Sequence, residues 1–115
     1  MRAELALAIV LAAGCYNGPQ LEDEPCPPAG TALTYDNFAV TFFGQWCETC
    51  HAAEAENRHG APHAYTFDSV EQIREHAARI FERAAASNTS MPPGPDDPTE
   101  ADRERLAEWL ACGAP

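Results

Sequence analysis

The stretch Gly44–Ala53, GQWCETCHAA, sets two cysteines three positions apart and places a histidine directly after the second. Three chemistries use that order: a dithiol redox pair, a metal ion held by thiolates and imidazole, or a prosthetic group bound covalently through both thiols. The flanking sequence decides among them, and with them the fold.

Immediately upstream, TYDNFAVTFFGQW (34–46) carries Phe38, Phe42 and Trp46 at four-residue intervals beside Phe43 and Val40, the apolar face of a helix that Thr34 or Asp36 caps. This face runs straight into the Cys-x-x-Cys-His unit. Downstream, TFDSVEQIREHAARIFERAAA (66–86) has Val70, Ile73, Ala77, Ile80, Phe81 and Ala84 at helical spacing behind a capping box of Asp68 and Glu71. DDPTEADRERLAEWLACGAP (96–115) reads as a third helix, with Asp97 as cap, Pro98 in the first turn, Glu100 three residues on, Leu106, Trp109 and Leu110 on one face, and Gly113 as terminator. The loops AENRHGAPHAY (55–65) and SNTSMPPGPDDP (87–98) separate them. Strand signals are nearly lacking, so an all-α domain is expected.

This outline weighs on the motif. A thioredoxin-like thiol-disulfide oxidoreductase sets Cys-x-x-Cys between a strand and a helix on a central sheet, and the sequence offers no strands for one; it stays as the enzyme alternative. Zinc would need two separated couples of ligands, and adjacent Cys50 and His51 seldom converge on one tetrahedral ion; His59 and His63 flank Gly60 and Pro62, in a loop instead of on one helix face. Covalent haem c attachment uses every residue of the motif: Cys47 and Cys50 form thioethers with the two vinyl groups, and His51 is thereby placed beneath the iron.

From about Cys26 to Pro115 the chain resembles a single-haem cytochrome c domain. In that family a helix leading into Cys-x-x-Cys-His carries a small residue and an aromatic four apart that pack across the last helix; Ala39 and Phe43 match, with Leu106 and Trp109 as their partners. The family's sixth iron ligand is a methionine in a late loop, often followed by proline, and TSMPPG supplies Met91. The resemblance implies about three helices wrapped around one covalent haem c, His51 and Met91 as axial ligands, and electron transfer without bond-making catalysis. Phe42, Phe43, Val70, Ile73, Ile80, Phe81, Leu106, Trp109 and Leu110 are the expected haem pocket and helix contacts. The competing ligands are His59, His63 and His76; His59, His63 and Arg58 are also candidates to meet haem propionates or solvent. If Met91 is not a ligand, an open sixth site makes the domain a gas- or peroxide-binding module with weak peroxidase activity.

The N-terminus, MRAELALAIVLAAGC, has one arginine, an apolar run from Leu5 to Ala13 and then Gly14-Cys15. It reads as an export signal over 1–14, too short an apolar run to span a bilayer, and resembles a bacterial lipoprotein signal in which Cys15 is acylated. Glu4 and Ala12 depart from that pattern, and an ordinary cleaved signal or a buried N-terminal helix are the alternatives. Either signal reading exports the chain, to the periplasm or cell surface, lipid-anchored if Cys15 is acylated and soluble if not. Residues 15–30, acidic and proline-rich, read as a tether, and 31–115 as the domain.

Exported thiols are normally paired, ligated or modified. With Cys15 given to lipid and Cys47 and Cys50 to the motif, Cys26 and Cys112 remain as a disulfide pair, two unpaired thiols being the alternative. Closing so long a loop is worth about 4 kcal/mol. With 115 residues, ten prolines and seven glycines, the core is small, and the cross-link and a large cofactor are expected to supply part of the stability. A net charge of −11, with all seven basic residues arginine, makes nucleic acid a poor partner. It suits steering toward redox partners with basic docking patches, at rates that fall with ionic strength.

Overall fold

Helical periodicity translates into helices at every expected place, in five short pieces. The computed structural model describes residues 16–115, so the signal at 1–14 and Cys15 lie outside the described residues. The first stretch opens with a π-helical turn, Tyr35–Ala39, and continues as α1, Val40–Trp46. Thr34 caps it, its hydroxyl accepting from the Asn37 amide while the Asn37 side chain accepts from the Thr34 amide. The chain bends at Cys47, whose angles (φ −120°, ψ −43°) leave the helical range, and the motif forms its own turn, α2, Glu48–His51. The expected straight run from helix to motif is thus broken at the first thiol.

The second expected helix is two: α3, Val70–Glu75, and α4, Ala77–Ala84, broken at His76. The His76 ring lies 4.7 Å from that of Tyr65 and 6.1 Å from that of Phe67, so a contact with the preceding loop accompanies the break. Its cap is Ser69 with Gln72, not Asp68 with Glu71; Asp68 accepts instead from the Ala53 amide. The last helix, α5, Glu100–Ala111, starts two residues later than expected, with Thr99 accepting from the Asp102 amide in place of Asp97 and Glu100. Gly113, at φ 87°, ends it. No strand forms among the described residues.

One core joins these pieces. Ala39, Phe43, Ile73, Phe81, Leu106 and Trp109 have no exposed surface. Phe43 meets Trp109 at 6.2 Å between ring centroids and Phe67 at 6.0 Å, within the range where aromatic pairs attract beyond simple burial. The four positions expected to make the first and last helices pack, Ala39, Phe43, Leu106 and Trp109, are all at its centre. Val40, expected on the apolar face, is exposed.

Cys26 and Cys112 are joined in a disulfide across 86 positions, tying the end of α5 to the N-terminal segment. That segment is bound to the domain instead of standing off it. The 3-10 turn Leu21–Asp23 packs on α4 and α5, with Leu21 against the core. Asn88, itself buried, donates to the Pro19 and Phe81 carbonyls, and the single proton of the Tyr16 hydroxyl is shared between the Asn88 side-chain oxygen and the Glu82 carbonyl. A methyl group on Gly18 would press on the Tyr16 hydroxyl and the Asn88 side chain, which would have to shift.

Candidate functional site

The bend at Cys47, the motif turn, the loop from Arg58 to Phe67, α4 and the segment Met91–Pro93 enclose one cavity of about 390 Å³, within the ordinary size range of small-molecule and cofactor sites. Its lining contains Cys47, Cys50, His51 and Met91 together. Phe42, Phe43, Trp46, Tyr65, Phe67, Ile80 and Ala84 make the rest of the wall largely apolar, while Arg58, His59, Arg79 and Arg83 add polar groups.

His51 is held in one orientation and one tautomer. Its Nδ1 lies 2.7 Å from the Tyr65 carbonyl oxygen, which can only accept, so Nδ1 carries a proton and Nε2 is the nitrogen that the neutral ring leaves for a ligand bond. The ring stacks on Phe67 at 4.7 Å and 24°, and the Phe67 amide donates back to the His51 carbonyl. A carbonyl on the distal nitrogen is the arrangement that orients a metal-binding imidazole and raises its basicity.

Arg58 builds the loop that presents this carbonyl. Its guanidinium donates to the carbonyls of Ala52, Ala61, Pro62 and Tyr65 and to the Thr66 hydroxyl. It is therefore tied to the backbone and not a free surface arginine, and it fixes the loop that carries the Tyr65 carbonyl.

The thiols of Cys47 and Cys50 are not joined to each other. Burial, reinforced by the Glu48 carboxylate and opposed by Arg103, pushes the Cys47 thiol up to about 12. A nucleophilic redox cysteine needs the opposite shift. Among the described residues no three histidine, cysteine, aspartate or glutamate side chains are grouped to hold a bare metal ion. The donor set fits a haem: two thiols three positions apart for its vinyl groups, one fixed imidazole, one thioether and an apolar wall.

Met91 is held by its backbone. Its amide donates to the Arg83 carbonyl at 2.8 Å, and its carbonyl accepts from Arg103 Nη1 at 2.8 Å. The side chain is 41% exposed at the cavity's edge. Of the rival histidines, His59 lines the cavity, whereas His63 does not, and His76 packs on Tyr65 outside it. Val70, Ile73, Phe81, Leu106, Trp109 and Leu110 serve the core and do not line the cavity; Phe42, Phe43 and Ile80 do. Trp46, Tyr65 and Phe67 were not expected there, although Trp46 follows the same four-residue period as Phe42. Arg103 was also missed. Its signal is a charge on the apolar stripe of α5, three residues before Leu106 and seven before Leu110.

Comparison with family models, with curated proteins and with solved structures found no match to this chain.

Proposed function

We propose that the chain is a single-haem c-type cytochrome that carries electrons outside the cytoplasm. The observation that carries this reading is the convergence of both motif thiols, the carbonyl-locked His51 and Met91 on one apolar cavity. Cys47 and Cys50 would hold haem c as thioethers, and His51 Nε2 and the Met91 sulfur would bind its iron. When bound, a haem with histidine and methionine ligands supplies reversible one-electron chemistry at a comparatively high potential. The chain's own part is to hold it rigidly. The Tyr65 carbonyl, Phe67 and the Arg58-clamped loop keep the imidazole from turning, Phe42, Phe43, Trp46 and Ile80 supply apolar wall, and Met91 stands at the cavity's edge. The proposed role is that of a carrier and not of an enzyme.

The surface suits a partner that docks beside the attachment turn. Glu48, Glu54 and Glu56 border a groove next to the cavity, fitting basic patches on a redox partner. Export, with a lipid anchor on Cys15, belongs to the same proposal and rests on the sequence alone.

A second reading, binding of a gas or peroxide at an open sixth site, applies if Met91 is not a ligand. The ferric absorption spectrum separates the two. A weak red sulfur-to-iron charge-transfer band at neutral pH, lost in Met91→Ala, is the expected result; covalently bound haem without the band would transfer the assignment to the open-site reading.

A further inference from the structure

An arginine in a hydrophobic core is costly unless its charge is paired and hydrogen-bonded, so a buried one marks a place where its bonds are needed. Arg103, on the apolar stripe of α5, is 3% exposed. Its Nη1 donates to the carbonyls of Ala84 at 2.9 Å, Asn88 at 3.1 Å and Met91 at 2.8 Å, and its Nη2 lies 3.4 Å from Asp97 Oδ1. Its own backbone carbonyl accepts from the Ala86 amide. One side chain therefore gathers the end of α4, the middle of the following loop and Met91 itself onto a single planar cation.

We infer that Arg103 is the positioning residue for Met91, holding its backbone so that the sulfur stays at the cavity; this rests on the reading of Met91 as the sixth ligand. No other side chain among the described residues bonds to the Met91 backbone. The other tie there among the described residues is the Met91 amide to the Arg83 carbonyl, which fixes one end of the residue and leaves its carbonyl end to Arg103. The guanidinium cannot be exchanged for an ammonium without loss: a shorter reach and a single nitrogen do not cover the same set of carbonyls and the carboxylate. Arg103 never needs to touch a cofactor, and acts on the site only through the loop.

The test compares haem-loaded wild type with Arg103→Gln, Arg103→Lys and the control Arg105→Gln, whose arginine pairs with Asp102 on the surface. Helix content by far-ultraviolet circular dichroism, the ferric sulfur-to-iron band against pH, and carbon monoxide binding by the ferrous form are read for each. The inference expects Arg103→Gln to keep its helix content and covalent haem, lose the band at neutral pH and bind carbon monoxide. Arg103→Lys should lose the band at a lower pH than wild type, and Arg105→Gln should match wild type. Faster amide exchange at Ala86 and Met91 in Arg103→Gln should accompany the loss. A role confined to stability would lower the melting temperature and leave the spectrum alone, which overturns the inference. Should Arg103→Gln fail to fold, a wild-type band across the whole pH range in Arg103→Lys overturns it equally. A band absent from wild type itself defeats the histidine–methionine reading first and this inference with it, whereas a band present in wild type and unchanged in the variants defeats the inference alone.

Discussion

Replacing Cys26 and Cys112 together with serine removes the cross-link without touching the cavity, since neither residue lines it. The bridge spans 86 positions, and restricting an unfolded loop of that length is worth about 4.6 kcal/mol at 25 °C by chain entropy. A small domain has a total stability of only about 5–15 kcal/mol, so the loss is a large share of the whole. At a urea slope of roughly 1.5 kcal/mol per molar, it moves the unfolding midpoint down by about 3 M. Equilibrium urea unfolding of the haem-loaded protein and its double-serine variant, followed by circular dichroism, measures the difference. The slope should rise slightly in the variant, because an uncrosslinked chain exposes more surface when it unfolds. The visible spectrum should not change. A stability difference below about 1 kcal/mol, or two reactive thiols at these positions in the oxidised wild type, would refute the reasoning.

Two further outcomes follow from the core and from the motif's electrostatics. Phe43→Ala empties a fully buried position shared with Phe42, Phe67 and Trp109 and should cost about 3–5 kcal/mol in urea unfolding; a cost below 1 would mean the core is not organised around this ring. Partial burial, and then repulsion from Asp68, hold the Glu48 carboxyl above its ordinary range. A raised folded value favours the protonated fold, so the stability linked to Glu48 is full below the unfolded carboxylate range and is lost as pH rises through the folded value. Glu48→Gln should therefore raise the melting temperature slightly at pH 7 and not below the ordinary glutamate range, solvent screening keeping the gain under about 0.5 kcal/mol; a lower melting temperature at pH 7 would reverse the sign assigned to this site.

What the sequence made legible was whatever depends on periodicity. Phe38, Phe42 and Phe43, Ile73, Ile80 and Phe81, and Leu106, Trp109 and Leu110 are buried as their spacing requires. Helix starts were less legible, because DS at 68–69 and DDPT at 96–99 each offer more than one capping residue. The choice falls to the residue whose backbone stays extended, Ser69 or Thr99, and the passed-over carboxylates take other partners, Asp68 the Ala53 amide and Asp97 the Arg103 side chain. The break at His76 accompanies a ring contact with Tyr65, eleven positions away, which no local pattern encodes. Residues 15–30 read as a tether by composition, yet within them Leu21 packs toward α4 and α5, and Tyr16 and Pro19 form hydrogen bonds with partners more than sixty positions distant.

The cavity divides in the same way. Cys47, Cys50, His51 and Met91 were found by motif and loop chemistry, and the structure brings them to one cavity. Arg58 and Arg103 were not assigned their structural roles, for a shared reason: a charged residue is read as surface until its partners are known. Here the partners are backbone carbonyls, which sequence cannot distinguish from any others. Both arginines shape loops that carry a proposed ligand or its hydrogen-bond partner, Arg58 below His51 and Arg103 behind Met91.

The central claim is tested most directly by the intact mass of the denatured chain after export in a cell able to attach haem. The account predicts the mass of the chain plus one haem, retained through acid extraction and lost in Cys47→Ala/Cys50→Ala. A mature chain that carries no haem under conditions where a control cytochrome is fully loaded would contradict it.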